Sequence, residues 1–118
     1  MADQREFYVP PPDPAQRRLD AFVSRYWADS CGDEEVRAHL RADAGHRRLS
    51  LSANLADLEA VLANPDDAWR LVWLVEVAAN TSLHDGAISE TEHQALARAF
   101  LERFAAMVRE ALDATRHH

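Results

Sequence analysis

Apolar residues recur along this chain at spacings of three and four, the repeat of a helix with one buried face. Leu19, Phe22, Val23, Tyr26 and Trp27 form the first such stripe and predict a helix from Pro14 to about Ala28. Asp13–Pro14 is a suitable start, with proline at the first helical position. Ser30 to Gly32 interrupt the pattern. Asp33 then reads as the cap of a second helix, with Glu34 and Glu35 in its first turn, where negative charge meets the positive end of the helix dipole. Its inward positions are only Val36 and Leu40, which predicts a short, peripheral helix ending at Gly45, with Arg47 and Arg48 beyond it. Leu51, Leu55, Leu58 and Leu62 mark a third helix over about Ser52 to Ala63.

Asn64–Pro65–Asp66–Asp67 is a strong start signal for a fourth helix, running from Pro65 to about Ala79. Its stretch WRLVWLVEVAA is apolar on almost every face, so this helix is expected at the centre, with helices one, three and five packed on it. A loop over 80–88 follows, and Ser89 with Glu92 makes a capping box for a fifth helix reaching about Asp113. Leu96, Ala99, Phe100, Phe104, Met107, Val108 and Leu112 are its expected inward set. The fold class is therefore all-α, a compact bundle of about five helices. Residues 1–13 read as a proline-rich arm, 14–114 as one helical domain and 115–118 as a tail.

Composition agrees with this picture. The chain has 118 residues and 47% hydrophobic content, enough for one modest core. Four of its five prolines precede residue 15, and one isoleucine, Ile88, leaves little for strands. The net charge of −7, with arginine supplying all thirteen basic residues, argues against nucleic acid and favours a basic partner. A lone Cys31 excludes an intramolecular disulfide, and neither a signal pattern nor a membrane-length apolar run occurs. A cytoplasmic location is expected.

Candidate chemistry changes the picture little. Thr81 to Glu92 has the skeleton of a calcium-binding EF-hand loop, with Gly86 sixth, Ile88 eighth and Glu92 twelfth. Calcium needs oxygen donors at positions one, three, five, seven, nine and twelve. Leu83 stands third and Thr81 first, so only Asp85 and Glu92 supply charge. Turn chemistry at Asp85–Gly86 and the capping box account for the same residues without a metal. The DGxISxxE pattern also resembles the loop of tellurite-resistance-type helical domains. His84 and His93 form no HExxH or ExxH pattern, and His39 and His46 flank Gly45, so all four are expected at the surface. No metal or cofactor is predicted, and no nucleophile motif indicates an enzyme.

Two sets of residues remain as candidates. Trp69, Trp73, Glu76 and Asn80 lie at i, i+4, i+7 and i+11 on one helix face. Open, that face would be an aromatic cleft with a carboxylate. Closed, Glu76 needs a partner such as an arginine, because an unpaired buried charge is costly. The second set is acidic: Asp33, Glu34 and Glu35, then Asp66 and Asp67, then Asp85 and Glu90. Helix dipoles explain these positions, and so would a negative surface for a basic partner.

The segment LDAFVSRYWADSCGDEEVRAHL, Leu19 to Leu40, followed by LADLEAVLA, Leu55 to Ala63, resembles the small helical immunity proteins of bacterial contact-dependent inhibition and polymorphic-toxin systems. Shared are a leading L-x-x-F-x-x-x-Y helix, a short acidic segment and a second leucine-rich helix. The tryptophans, at Trp27, Trp69 and Trp73, depart from the C-terminal tryptophan helix of some members. The resemblance implies a non-enzymatic protein that binds a cognate toxin domain and blocks it. The alternatives are a small-ligand or metal-responsive domain using the Trp69–Glu76 face, and a homo-oligomer, most simply a homodimer.

Overall fold

The computed structural model describes residues 13–30, 32–63, 68–81 and 89–116. The proline-rich arm, Cys31, the Asn64–Asp67 start signal and the loop residues 82–88 lie outside them, as do His117 and His118. Five helices make up the described chain: α1 Pro14–Trp27, α2 Asp33–His46, α3 Arg48–Ala63, α4 Ala68–Trp73 and α5 Glu90–Arg116. From Trp73 the α4 backbone continues through a π-helical segment, Leu74–Ala78. No strand occurs among the described residues, and no helix among them is long and apolar enough to cross a membrane.

Local chemistry sets the helix ends. The Asp13 carboxylate accepts from the Ala15 N–H at 2.8 Å, and Pro14 occupies the first position of α1. Ser89 Oγ accepts from the Glu92 N–H at 3.1 Å, which caps α5 as the Ser-x-x-Glu pattern predicts. Asp33, expected as the cap of α2, lies inside its first turn, and Gly32 is the capping residue at φ 144°. The second helix also runs through Gly45 to His46. At 14 residues it is as long as α1, and its two apolar positions, Val36 and Leu40, are fully buried.

The third helix begins four residues earlier than its leucines suggest, at Arg48, so Arg47 alone joins it to α2. The Arg47 N–H closes α2 on Asp43 O at 2.6 Å, and Arg47 O receives the Leu51 N–H at 2.9 Å. Arg48 owes its place to tertiary structure. Its Nη1 donates to Leu112 O and Thr115 Oγ1, at 2.6 and 2.7 Å, near the C-terminal end of α5, where a cation is favoured.

Packing follows the stripes. The α4–π unit touches α1, α3 and α5, as its all-round apolarity predicts. Helix α5 adds α2 and α3 to its contacts. Asp33 meets Arg103 at 3.1 Å, and Arg37 and Arg41 line a groove with Met107, Ala111 and Ala114, so α2 and α5 run parallel. Arg98 Nη1 donates to Leu62 O at 2.8 Å, which with the Arg48 contacts makes α3 antiparallel to α5. The α2–α3 hairpin thus lies along α5. At the α1–α5 crossing, Phe22 stacks on Phe104 at 5.2 Å and Trp27 packs on Phe100 at 4.6 Å.

The expected inward set of α5 is buried from Phe100 onward, through Phe104, Met107, Val108 and Leu112, and departs from expectation only before it. Leu96 is 42% exposed and Ala99 is exposed, whereas Ala97, Leu101, Ala105 and Ala111 are buried beside Phe100, Phe104 and Val108. One turn into the helix, His93 also occupies an inward position, in register with Ala97 and Leu101.

Candidate functional site

The π-helical segment carries Glu76, the acidic residue within the apolar fourth helix. A π turn inserts an extra residue into the helical repeat, and such turns are frequent at functional sites. Here the Ala79 N–H bonds Leu74 O, five residues back, at 2.9 Å. The helix then stops at Asn80, whose φ of 51° is left-handed, and the Thr81 N–H returns to Val75 O at 3.1 Å.

The widened turn directs the Glu76 carboxylate to His93, whose Nε2 lies 2.5 Å from Oε1. His93 is 5% exposed, not a surface histidine as its sequence context suggested, and the edge of Trp69 meets its ring at 5.9 Å. Of the predicted face, the structure therefore brings Trp69 and Glu76 together around His93. Trp73 lies under the Arg70 guanidinium, 5.1 Å from Cζ to ring centroid. Asn80 is exposed at the helix stop. Arg70 is wholly buried: it forms an ion pair with Asp20 and donates to Gln16 O at 3.1 Å, fastening α4 to α1. Burial of Asp20 outweighs the attraction of Arg70 and raises its carboxyl above the ordinary carboxylate value.

A second polar cluster has no counterpart in the sequence reading. Asp43, 5% exposed, faces α1 from the last turn of α2. Its Oδ2 accepts from Tyr26 Oη at 2.5 Å and from Arg25 Nε and Nη2 at 3.2 and 3.1 Å. His39 and His46 reach it from its own helix, at 3.5 and 3.8 Å. Burial opposes ionisation of Asp43, but the Tyr26 and Arg25 hydrogen bonds and the nearby positive charge prevail and lower its pKa. Burial and the bond to Asp43 push the Tyr26 phenol up to about 12. Tyr26 was legible only as a stripe position, and nothing in the spacing of Asp43 announced its partners.

The acidic candidates divide. Asp33 is tied to Arg103 of α5. Glu34 and Glu35 are exposed on the first turn of α2, and Glu90 is exposed on the first turn of α5. Asp66, Asp67 and Asp85 lie outside the described residues, as does His84. No group of three or more metal-ligating side chains is placed to hold an ion among the described residues. Comparison with known proteins gives no match: no family model, no curated protein and no solved structure is significantly similar to this chain.

Proposed function

We propose that this chain is a non-enzymatic, cytoplasmic protein-binding module, most concretely an immunity protein that binds a cognate toxin domain and occludes its active site. The observation that carries this reading is the exposed acid on the first turn of α2. Glu34 and Glu35 project from a first turn whose next inward residue, Val36, is fully buried and whose Asp33 is fastened to Arg103. Glu90 stands thirteen residues before Arg103 on α5, about 20 Å of helix, within one ordinary interface footprint. The net charge of −7 and the resemblance of Leu19–Leu40 and Leu55–Ala63 to immunity proteins support the same reading. The partner surface is then basic, and association is steered by charge.

The test is affinity capture from extracts of the source cells, at low and at high salt, with the wild type and Glu34→Lys/Glu35→Lys. The expected result is one stoichiometric toxin-like partner, held by the wild type at low salt, weakened by salt, and bound at least about tenfold less tightly by the variant. Recovery of the wild type alone under both conditions overturns the proposal. A second reading, a small-ligand site at Trp69, Glu76 and His93, is favoured by the π-helical segment at Glu76. It predicts a ligand-dependent rise in melting temperature that Glu76→Gln abolishes.

A further inference from the structure

The parallel register of α2 on α5 leaves a groove beyond the Asp33–Arg103 ion pair. One turn further along α2 stands Arg37, and a second turn brings Arg41. Together with Met107, Glu110, Ala111 and Ala114 they line a cavity of about 110 Å³, which continues into a wider recess bounded by Glu34, Arg37 and Arg41. Ala111 and Ala114 line it where larger side chains would fill it.

The two guanidiniums are four residues apart on one helix, a like-charge arrangement that destabilises an isolated helix by a few tenths of a kcal/mol. Neither forms an ion pair or hydrogen bond with any described residue, although seven of the other arginines do. Arg37 Nε is moreover buried with no hydrogen-bond acceptor. A buried donor of a charged group left in this state is costly, and an acceptor entering the groove would remove the cost.

We propose that the α2–α5 groove is an oxyanion-binding site, in which Arg37 and Arg41 together hold a carboxylate or phosphate group. Guanidinium forks match both groups through paired N–H···O bonds. Met107 and the alanines accommodate a short apolar stem on the same ligand. Glu34 and Glu110 border the groove and confine the anion to the space between the guanidiniums. The groove adjoins the proposed partner surface at Glu34 but makes the opposite demand, an anion rather than a basic surface, so phosphate or acetate binding is read separately from partner capture.

The experiment titrates full-length protein with inorganic phosphate and, separately, with acetate, against sodium chloride at matched ionic strength. The Arg37 Nε–Hε resonance and the backbone amides of 37–41 and 107–114 are followed by NMR. The expected result is saturable movement confined to these signals with one or both oxyanions and not with chloride. Preference for phosphate or for acetate identifies which source of the oxyanion the groove suits. Arg37→Gln and Arg41→Gln should each weaken binding about tenfold. Ala114→Leu, which keeps both charges and narrows the groove, should also weaken it, and Glu110→Gln should tighten it. Linear drift indistinguishable from chloride, or saturation that survives the Arg37→Gln/Arg41→Gln double variant with its helicity intact, overturns the proposal.

Discussion

Two carboxylates paired with arginine illustrate how position decides the sign of an electrostatic contribution. Asp20 and Asp43 both contact a guanidinium, yet the first is raised and the second lowered from the ordinary 3.8. At Asp20 burial outweighs the Arg70 contact, whereas at Asp43 burial is overcome by the Tyr26 hydroxyl and two Arg25 donors on one oxygen, together with nearby positive charge. A lowered carboxyl stabilises the fold above its unfolded value and loses that effect as pH falls through the folded value. Asp43→Asn should therefore cost about 2 kcal/mol in urea unfolding at pH 7, with the gap to wild type closing below pH 3.8. The Tyr26 phenol has the opposite dependence. Raised to about 12, it favours the fold below its ordinary 10.0 and loses that contribution as pH rises from there. Tyr26→Phe should cost about 1 kcal/mol at neutral pH and flatten the fall in stability between those two values. Neither α1 partner of Asp43 was legible beforehand, because Arg25 and Tyr26 lie 18 and 17 residues away in sequence and meet it only when α1 and α2 pack.

At the scale of elements, the apolar stripes carried most of the fold. Leu19 to Trp27 and Leu51 to Leu58 are buried where a period of 3.6 puts them. The Ser89 cap was legible too, because it is local chemistry. What failed to show were features determined by distant contacts: the early start of α3 at Arg48, the inward place of His93 at the start of α5, and the π turn that carries Glu76. Helix α2 is a further case, since Gly45 looked like a terminator and is helical. The glycine before this helix and the one inside its last turn make opposite predictions. A Cβ at Gly45 meets nothing within 4 Å, so Gly45→Ala should stabilise the protein by about 0.5 kcal/mol. Gly32 has the same free space but a φ of 144° and ψ of −174°, a region held almost only by glycine. Gly32→Ala should cost about 2 kcal/mol, and thermal melts of the two single variants should move to opposite sides of the wild type.

For the whole molecule, the decisive element is α5, because α2, α3 and α4 all pack against it. The core forms one continuous cluster, in which Trp27 reaches Phe100 and Phe104 while Trp69 and Trp73 pack against its border. Such an arrangement leaves no part of the core that can be lost alone, so unfolding followed by far-UV circular dichroism and by tryptophan fluorescence should give coincident transitions. Cutting α5 after Arg109 tests the same dependence. The cut removes the buried Ala111 and Leu112, together with both acceptors of Arg48, Leu112 O and Thr115 Oγ1. Arg48 begins α3 with only Arg47 between it and the end of α2, so the loss reaches the hairpin directly. If α5 is the common support, amide hydrogen-exchange protection should collapse at Leu40 and Leu51 along with the rest of α5. Protection that disappears only from the remaining turns of α5 would instead show that the α2–α3 hairpin holds its structure by its own contacts with α1.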